Sequence, residues 1–236
     1  MHSGFIFPVV ITIVFVGIFF LQYYFSRKSV VKRKLKKAAG MKMSSFYSGD
    51  IAKVAGSVEI VGEPLIAPLS GRECAYYYVL VEQLQSSGKS SHYSKLIEDE
   101  KSGTFLIRDG RYRAKINPDS RLKTYLVQDK EYSSGTGNDA TTTLENFLNL
   151  HGEKSENFLG FNKTIRYKEG ILEAGEMVAV TGRGEWKTAV EAGLPGTYGR
   201  ILVFSSDENE PVYMSDDPDT IIISYNDLTG QSRSVV

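Results

Sequence analysis

Residues 5–25 read FIFPVVITIVFVGIFFLQYYF, an apolar run with no charge and only Thr12 and Gln22 clearly polar. At 1.5 Å per residue such a run reaches about 30 Å, the thickness of a bilayer's hydrocarbon core. The sequence therefore predicts a transmembrane helix over 5–25. Pro8 lies near its first turn, where a missing N–H costs little. Tyr23 and Tyr24 lie at its end, where rings with a polar tip favour the membrane interface. A cleaved signal peptide would put positive charge before the apolar stretch and small residues after it. Here the charge follows the run, and Leu-Gln-Tyr-Tyr-Phe occupies the place of a cleavage motif.

The charge is unevenly distributed. Residues 1–37 carry seven cations, Arg27, Lys28, Lys32, Arg33, Lys34, Lys36 and Lys37, and no acid, although the whole chain is neutral. The rest of the chain therefore carries a net charge of about −7 by the same count. Basic residues beside a span remain cytoplasmic. This predicts an external N-terminus (1–4), a basic juxtamembrane segment (26–46) and a cytoplasmic body, as in a prokaryotic inner membrane. The collar is expected to continue as a short helix lying on anionic lipid headgroups, at about 1 kcal/mol per basic residue near the surface, so the expected partners of this part are the lipid bilayer and those headgroups. The collar could equally serve only to set topology. An acidic body argues against nucleic acid as a partner.

Beyond the collar the hydrophobic period is that of strands. Ser57–Val61, Cys74–Leu84, Thr104–Arg108, Arg111–Ile116, Thr124–Gln128, Met177–Thr181, Arg200–Ser205 and Thr220–Ser224 are runs rich in Val, Ile, Tyr and Phe between turn residues. Asp109-Gly110 separates two of them as a hairpin turn. One helix is expected over Leu144–Leu150, with Thr142 and Glu145 at capping-box spacing and Gly152 as its stop. Ser- and Gly-rich Gln85–Lys95 and Glu131–Thr142 read as mobile surface loops. The expected architecture is a transmembrane α-helix followed by a β-rich (α+β), barrel- or sandwich-like domain over 47–225 with one principal inserted helix. A flexible tail over 226–236 completes it.

Candidate chemistry is sparse. The one cysteine, Cys74, excludes a disulfide framework and any Cys-rich zinc module within this chain. A Cys74/His151 nucleophilic pair competes with a simpler reading. "CAYYYVLVE" has two largely apolar faces, as in a central strand, where cysteine acts as a small hydrophobe. His2 lies across the expected membrane, and His92 lies in a Ser-rich loop. Ser205–Glu210 and Ser215–Asp219 are acidic but lack calcium-loop spacing, so they read as solvated turns. "TGRGEW", Thr181–Trp186, opens no helix and reads as a two-residue turn rather than a phosphate loop. Glu173 and Glu176 could act as an acid/base pair or could take orphan amides and an arginine such as Arg72. No cofactor or metal is expected.

Three blocks together resemble a known family. "GEPLIAPLSGRECAYYYVLVE", with its Pro-Leu-Ser-Gly-x-x-Cys-x-Tyr-Tyr pattern over Pro68, Ser70, Gly71, Arg72, Cys74, Tyr76 and Tyr77, is similar to the signature of BAM (beside-a-membrane) or GIDE-type domains. "FLIRDGRYRAKINP", with Asp109 and Gly110, and "RYKEGILEAGEMVAVTGRGEW", with Glu173 and Gly175, resemble the family's second and third blocks. The family includes MULAN-like mitochondrial E3 ubiquitin ligases, whose eukaryotic members add a second transmembrane helix and a RING. One cysteine cannot build a RING, so the resemblance implies a prokaryotic-type member. Its β-domain would bind a protein partner or a membrane surface without catalysis of its own. The alternatives are a component of a ubiquitin ligase and a hydrolase using Cys74 and His151.

Overall fold

The computed structural model describes residues 6–88, 90–135, 138–156, 162–222, 224–226 and 232–234. Its helices are α1 (Ile6–Tyr24), α2 (Arg27–Lys37), α3 (Thr142–Leu150) and α4 (Pro218–Ile221). The strands are β1 (Ile51–Ile60), β2 (Leu65–Ile66), β3 (Glu73–Cys74), β4 (Tyr76–Ser87), β5 (Ser90–Ser102), β6 (Phe105–Asp109) and β7 (Tyr112–Ile116). They continue as β8 (Leu122–Tyr125), β9 (Lys130–Ser134), β10 (Ile165–Leu172), β11 (Met177–Thr188), β12 (Arg200–Ser205), β13 (Val212–Ser215), β14 (Ser224–Asn226) and β15 (Ser232–Ser234).

Five strands close a barrel. The order β1-β6-β7-β12-β11 returns to β1 through antiparallel pairing of β1 with β11, and the β7–β12 pair is parallel. Numbered 1 to 5 along the chain, these strands run 1-2-3-5-4-1, the connectivity of an OB-type Greek-key barrel. Closure leaves no free edge between them. Val54, Ile107, Leu202, Phe204 and Met214 are fully buried inside this sheet's core. Close approach selects glycine at Gly56, where a Cβ would lie 2.4 Å from the Arg108 carbonyl oxygen.

Two insertions form a second layer. The β4–β5 hairpin lies between β1 and β6 in sequence, and β8 to β10 with α3 lie between β7 and β11. Strands β5, β4, β10 and β9 form an antiparallel sheet. Leu144, Phe147 and Leu148 of α3 pack with Val79, Val81 and Ile165 from that sheet. Thr141 caps α3, its side chain accepting the Leu144 amide, one residue before the expected cap at Thr142. Strands β13 and β8 extend the barrel sheet beyond β11.

The membrane expectation is corrected. Among the described residues no helix is long and apolar enough to cross a membrane. Helix α1 ends at Tyr24, and its 19 residues measure about 28 Å. Ser26, whose side chain accepts the Ser29 amide, then starts a separate helix. The transmembrane helix over 5–25, the single-pass topology and the inner-membrane placement therefore have no span to rest on.

Helix α2 turns onto the body. Val31 and Leu35, four residues apart on one face, are fully buried against β11 and β13 residues Ala179 and Tyr213. Around them Lys32 pairs with Asp217 at 2.7 Å, Lys36 with Asp219 at 3.0 Å, and Lys34 with Glu210. Lys28 sits 5.1 Å from the Tyr125 ring centre, and Arg33 donates to the Tyr24 carbonyl. Lys37 is exposed. The basic collar and the acidic body are thus largely each other's counter-charge.

Other local expectations change for identifiable reasons. Gln85–Lys95 is largely the tip of the β4–β5 hairpin, because the ladder continues to Ser87 opposite Ser90. Within Glu131–Thr142, the first residues belong to β9 and pair with β10. Thr220–Ser224 is not a strand at its start: Asp217 caps α4 by accepting the Asp219 amide, and Pro218 follows at the first helical position. "TGRGEW" is no turn, since β11 runs through it. Gly184 is there because a Cβ would lie 2.5 Å from Phe46. In the expected tail, β14 pairs with β15. Residues 1–5, including His2, lie outside the described residues.

Candidate functional site

The signature block is built around one buried carboxylate. Glu169 on β10 is 4% exposed, and its two oxygens accept the Leu69 and Ser70 amides at 2.8 and 2.9 Å. The loop also closes on itself. The Gly71 amide donates to the Ala67 carbonyl, and the Ala67 amide donates to that of Arg72. Gly71 has φ +71°, a conformation that glycine adopts without penalty. Pro68, Ser70 and Gly71 are therefore a shaped turn. Arg72 leaves it to bridge Asp129 and Glu173, the latter at 3.3 Å.

The three tyrosines pair with three consecutive acids across the hairpin. Tyr76, Tyr77 and Tyr78 donate to Glu100, Asp99 and Glu98, respectively. Each hydroxyl reaches the residue two positions beyond its ladder partner, the diagonal reach available to a long side chain. Burial, followed by the Asp99 charge, pushes the Tyr77 hydroxyl up to about 12. Tyr76 and Tyr78 are also raised, first by burial. Arg27 of α2 completes the cluster, lying over the Tyr78 ring at 4.8 Å and donating to Glu98 at 3.4 Å and to Glu100.

The arrangement opposes nucleophilic chemistry at Cys74. The residue is fully buried, and burial, reinforced by the Glu169 charge, raises its thiol to about 11. A thiolate, the reactive form, is therefore scarce at neutral pH. His151 caps the C-terminus of α3. Its Nε2 is 3.8 Å from Asp99, and its ring packs edge-on against Phe147. No hydrogen bond joins Cys74 to His151 among the described residues. Glu176 accepts the Glu173 amide at 2.7 Å, and Glu173 holds Arg72, so both close a turn in which Gly175 has φ +86°. The β6–β7 turn falls one residue later than expected: Asp109 ends β6 opposite Tyr112, and Gly110, at φ +59°, and Arg111 form the turn.

A second place in the molecule has the character of a binding site. At one end of the barrel a cleft of about 590 Å³ is lined by Tyr47, Tyr112, Trp186 and Tyr198, with Arg111 and Arg200 among the remaining lining residues. No acid contributes to this lining. Its floor is anchored by the segment before β1. The Trp186 indole donates to the Phe46 carbonyl at 2.8 Å, and the Trp186 amide donates to Ser48 Oγ at 2.9 Å. The Arg200 guanidinium lies 5.4 Å from the Trp186 ring centre, and Arg111 lies 5.1 Å from that of Tyr112 and donates from Nη2 to the Tyr112 hydroxyl at 2.9 Å. Neither has a carboxylate partner among the described residues, whereas nearby Arg113 is paired with Glu59. Tyr47, at 77% exposure, leaves its ring open to solvent at the lip.

Sequence reasoning missed this cleft because its residues come from four separated segments. The signals were present: the lone tryptophan follows Gly-x-Gly, and the hairpin turn carries Arg111. No family model, curated protein or solved structure matches the chain.

Proposed function

We propose that this chain is a recognition module that binds a small anionic ligand at the barrel mouth and performs no chemistry at Cys74. The observation that carries the reading is a pair of guanidinium groups without carboxylate partners beside an open cleft, Arg200 over the Trp186 ring and Arg111 held by the Tyr112 hydroxyl. Arginine held in this way is preorganised for an oxyanion, and aromatic walls accept a planar body. Pockets of about 300–1,000 Å³ are the usual size for small-molecule ligands. The resemblance to BAM/GIDE-type domains points in the same direction, toward recognition rather than turnover.

The test uses naphthalene-1-sulfonate, a planar monoanion, titrated into the full chain. Binding is expected to weaken about tenfold in Arg200→Ala and in Arg111→Ala, the loss of one charge-assisted contact. Binding that is absent, or indifferent to both arginines, contradicts the reading.

A further inference from the structure

We infer that the ligand of the barrel-mouth cleft is a nucleoside 5′-phosphate. The inference rests on the recognition reading above and narrows its chemistry. Three features of the cleft converge on this class.

The first is its aromatic surface. Trp186 and Tyr112 have ring centres 6.2 Å apart and tilted by 60°, so they form two walls rather than a closed stack. Tyr47 at the lip leaves a third ring uncovered. A flat heterocycle laid against the open Tyr47 ring beside this pair finds aromatic surface, and stacking tolerates any base.

The second is the charge. Arg111 and Arg200 approach from different elements, the β6–β7 turn and the first residue of β12, and both line the cleft. Arg111 already donates from Nη2 to the Tyr112 hydroxyl, and its remaining donors together with the Arg200 fork match a doubly ionised phosphate. Ser48 Oγ already accepts the Trp186 amide, leaving its O–H to donate to a sugar or phosphate oxygen.

The third is what lies beside the cleft. The adjoining depression is lined by Glu185, Glu191, Gly49 and Lys187 with Ser48 and Trp186, so carboxylates border the exit on that side. A polynucleotide continuing past the cleft would carry its next phosphates toward those carboxylates. A compact nucleotide would not.

Trp186 is the only tryptophan in the chain, so its fluorescence reports this cleft without interference from another indole. Adenosine 5′-monophosphate titrated into the full chain is expected to quench it saturably. Adenosine and inorganic phosphate, each offering half of the interaction, should bind at least about tenfold more weakly. Arg200→Ala and Arg111→Ala, both at exposed positions and checked for an unchanged melting temperature, should weaken the nucleotide about tenfold each. Equal binding of adenosine and its monophosphate, or no saturable quenching by any common nucleoside phosphate, overturns the inference. Tighter binding of an oligothymidylate than of a mononucleotide also overturns it and assigns the cleft to a single strand. If nucleotides fail while naphthalene-1-sulfonate still binds in an arginine-dependent way, only this inference falls. If both fail, the recognition reading falls too.

Discussion

Glu169 shows how much of the signature block depends on a residue 100 positions away from Leu69. Its two oxygens are the acceptors for two adjacent amides of the Pro68–Gly71 turn, and Glu169 itself is almost wholly buried beneath that partly exposed turn. Glu169→Ala removes both acceptors at once and is expected to cost about 2–4 kcal/mol in a denaturant melt, with Glu169→Gln intermediate. An unchanged midpoint would mean that the turn holds without it. Asp216 offers a test of a different kind. Burial, together with the charges of Glu176 and Asp129, pushes its carboxyl up to about 7, although it accepts the Val127 amide at 2.7 Å. In the unfolded chain a carboxyl titrates near 3.9, so between those values the native state holds the extra proton. The stabilising contribution is therefore complete below about pH 4 and lost as the pH rises through 7. Asp216→Asn keeps an acceptor and cannot ionise. It should raise the melting temperature at pH 8, by an amount that shrinks on acidification and vanishes below about pH 4. A pH-independent difference would contradict this.

At the scale of elements, helix α2 separates packing from charge. Leu35 is fully buried, whereas Lys34 and Lys36 make exposed ion pairs. Leu35→Ala is expected to cost about 2–5 kcal/mol. Lys34→Ala and Lys36→Ala should each cost at most about 1 kcal/mol, and less in high salt. Chemical denaturation at two salt concentrations distinguishes the two contributions. Comparable losses at Lys34 and Leu35 would mean that charge, not packing, seats the helix. A short helix after the collar was legible, but its seat on the body was not: its apolar face is only Val30, Val31 and Leu35, set among cations that read as a surface for anionic headgroups. Strands with strong alternation were legible, and Arg200–Ser205 has the boundaries its pattern implies. Val212–Ser215 was missed because it is too short to show a period, and its partner β8 is remote in sequence. The start of Thr220–Ser224 was misread because Asp217 and Pro218 supply helix-start chemistry that outweighs the β-branched composition.

The whole molecule joins a closed barrel to a second antiparallel layer through the Glu173–Glu176 turn. The two layers divide the candidate sites. The signature residues lie where the layers meet, and their polar groups are satisfied internally: Glu169 by amides, the tyrosines by Glu98, Asp99 and Glu100, and Arg72 by two carboxylates. Such a block leaves little free to meet a ligand. The barrel mouth is the reverse: its aromatic and guanidinium groups come from segments that no local motif connects, and topology alone brings them together. Sequence could therefore reveal the β-rich class and the scaffold block, but not the cleft. The most direct test is an amide chemical-shift map of the isotope-labelled chain, with and without saturating naphthalene-1-sulfonate. Perturbations concentrated at Tyr47, Arg111, Tyr112, Trp186, Tyr198 and Arg200 are the expected result. Perturbations centred instead on Arg72, Cys74, Tyr77 and His151 would place the site in the signature block and contradict the account.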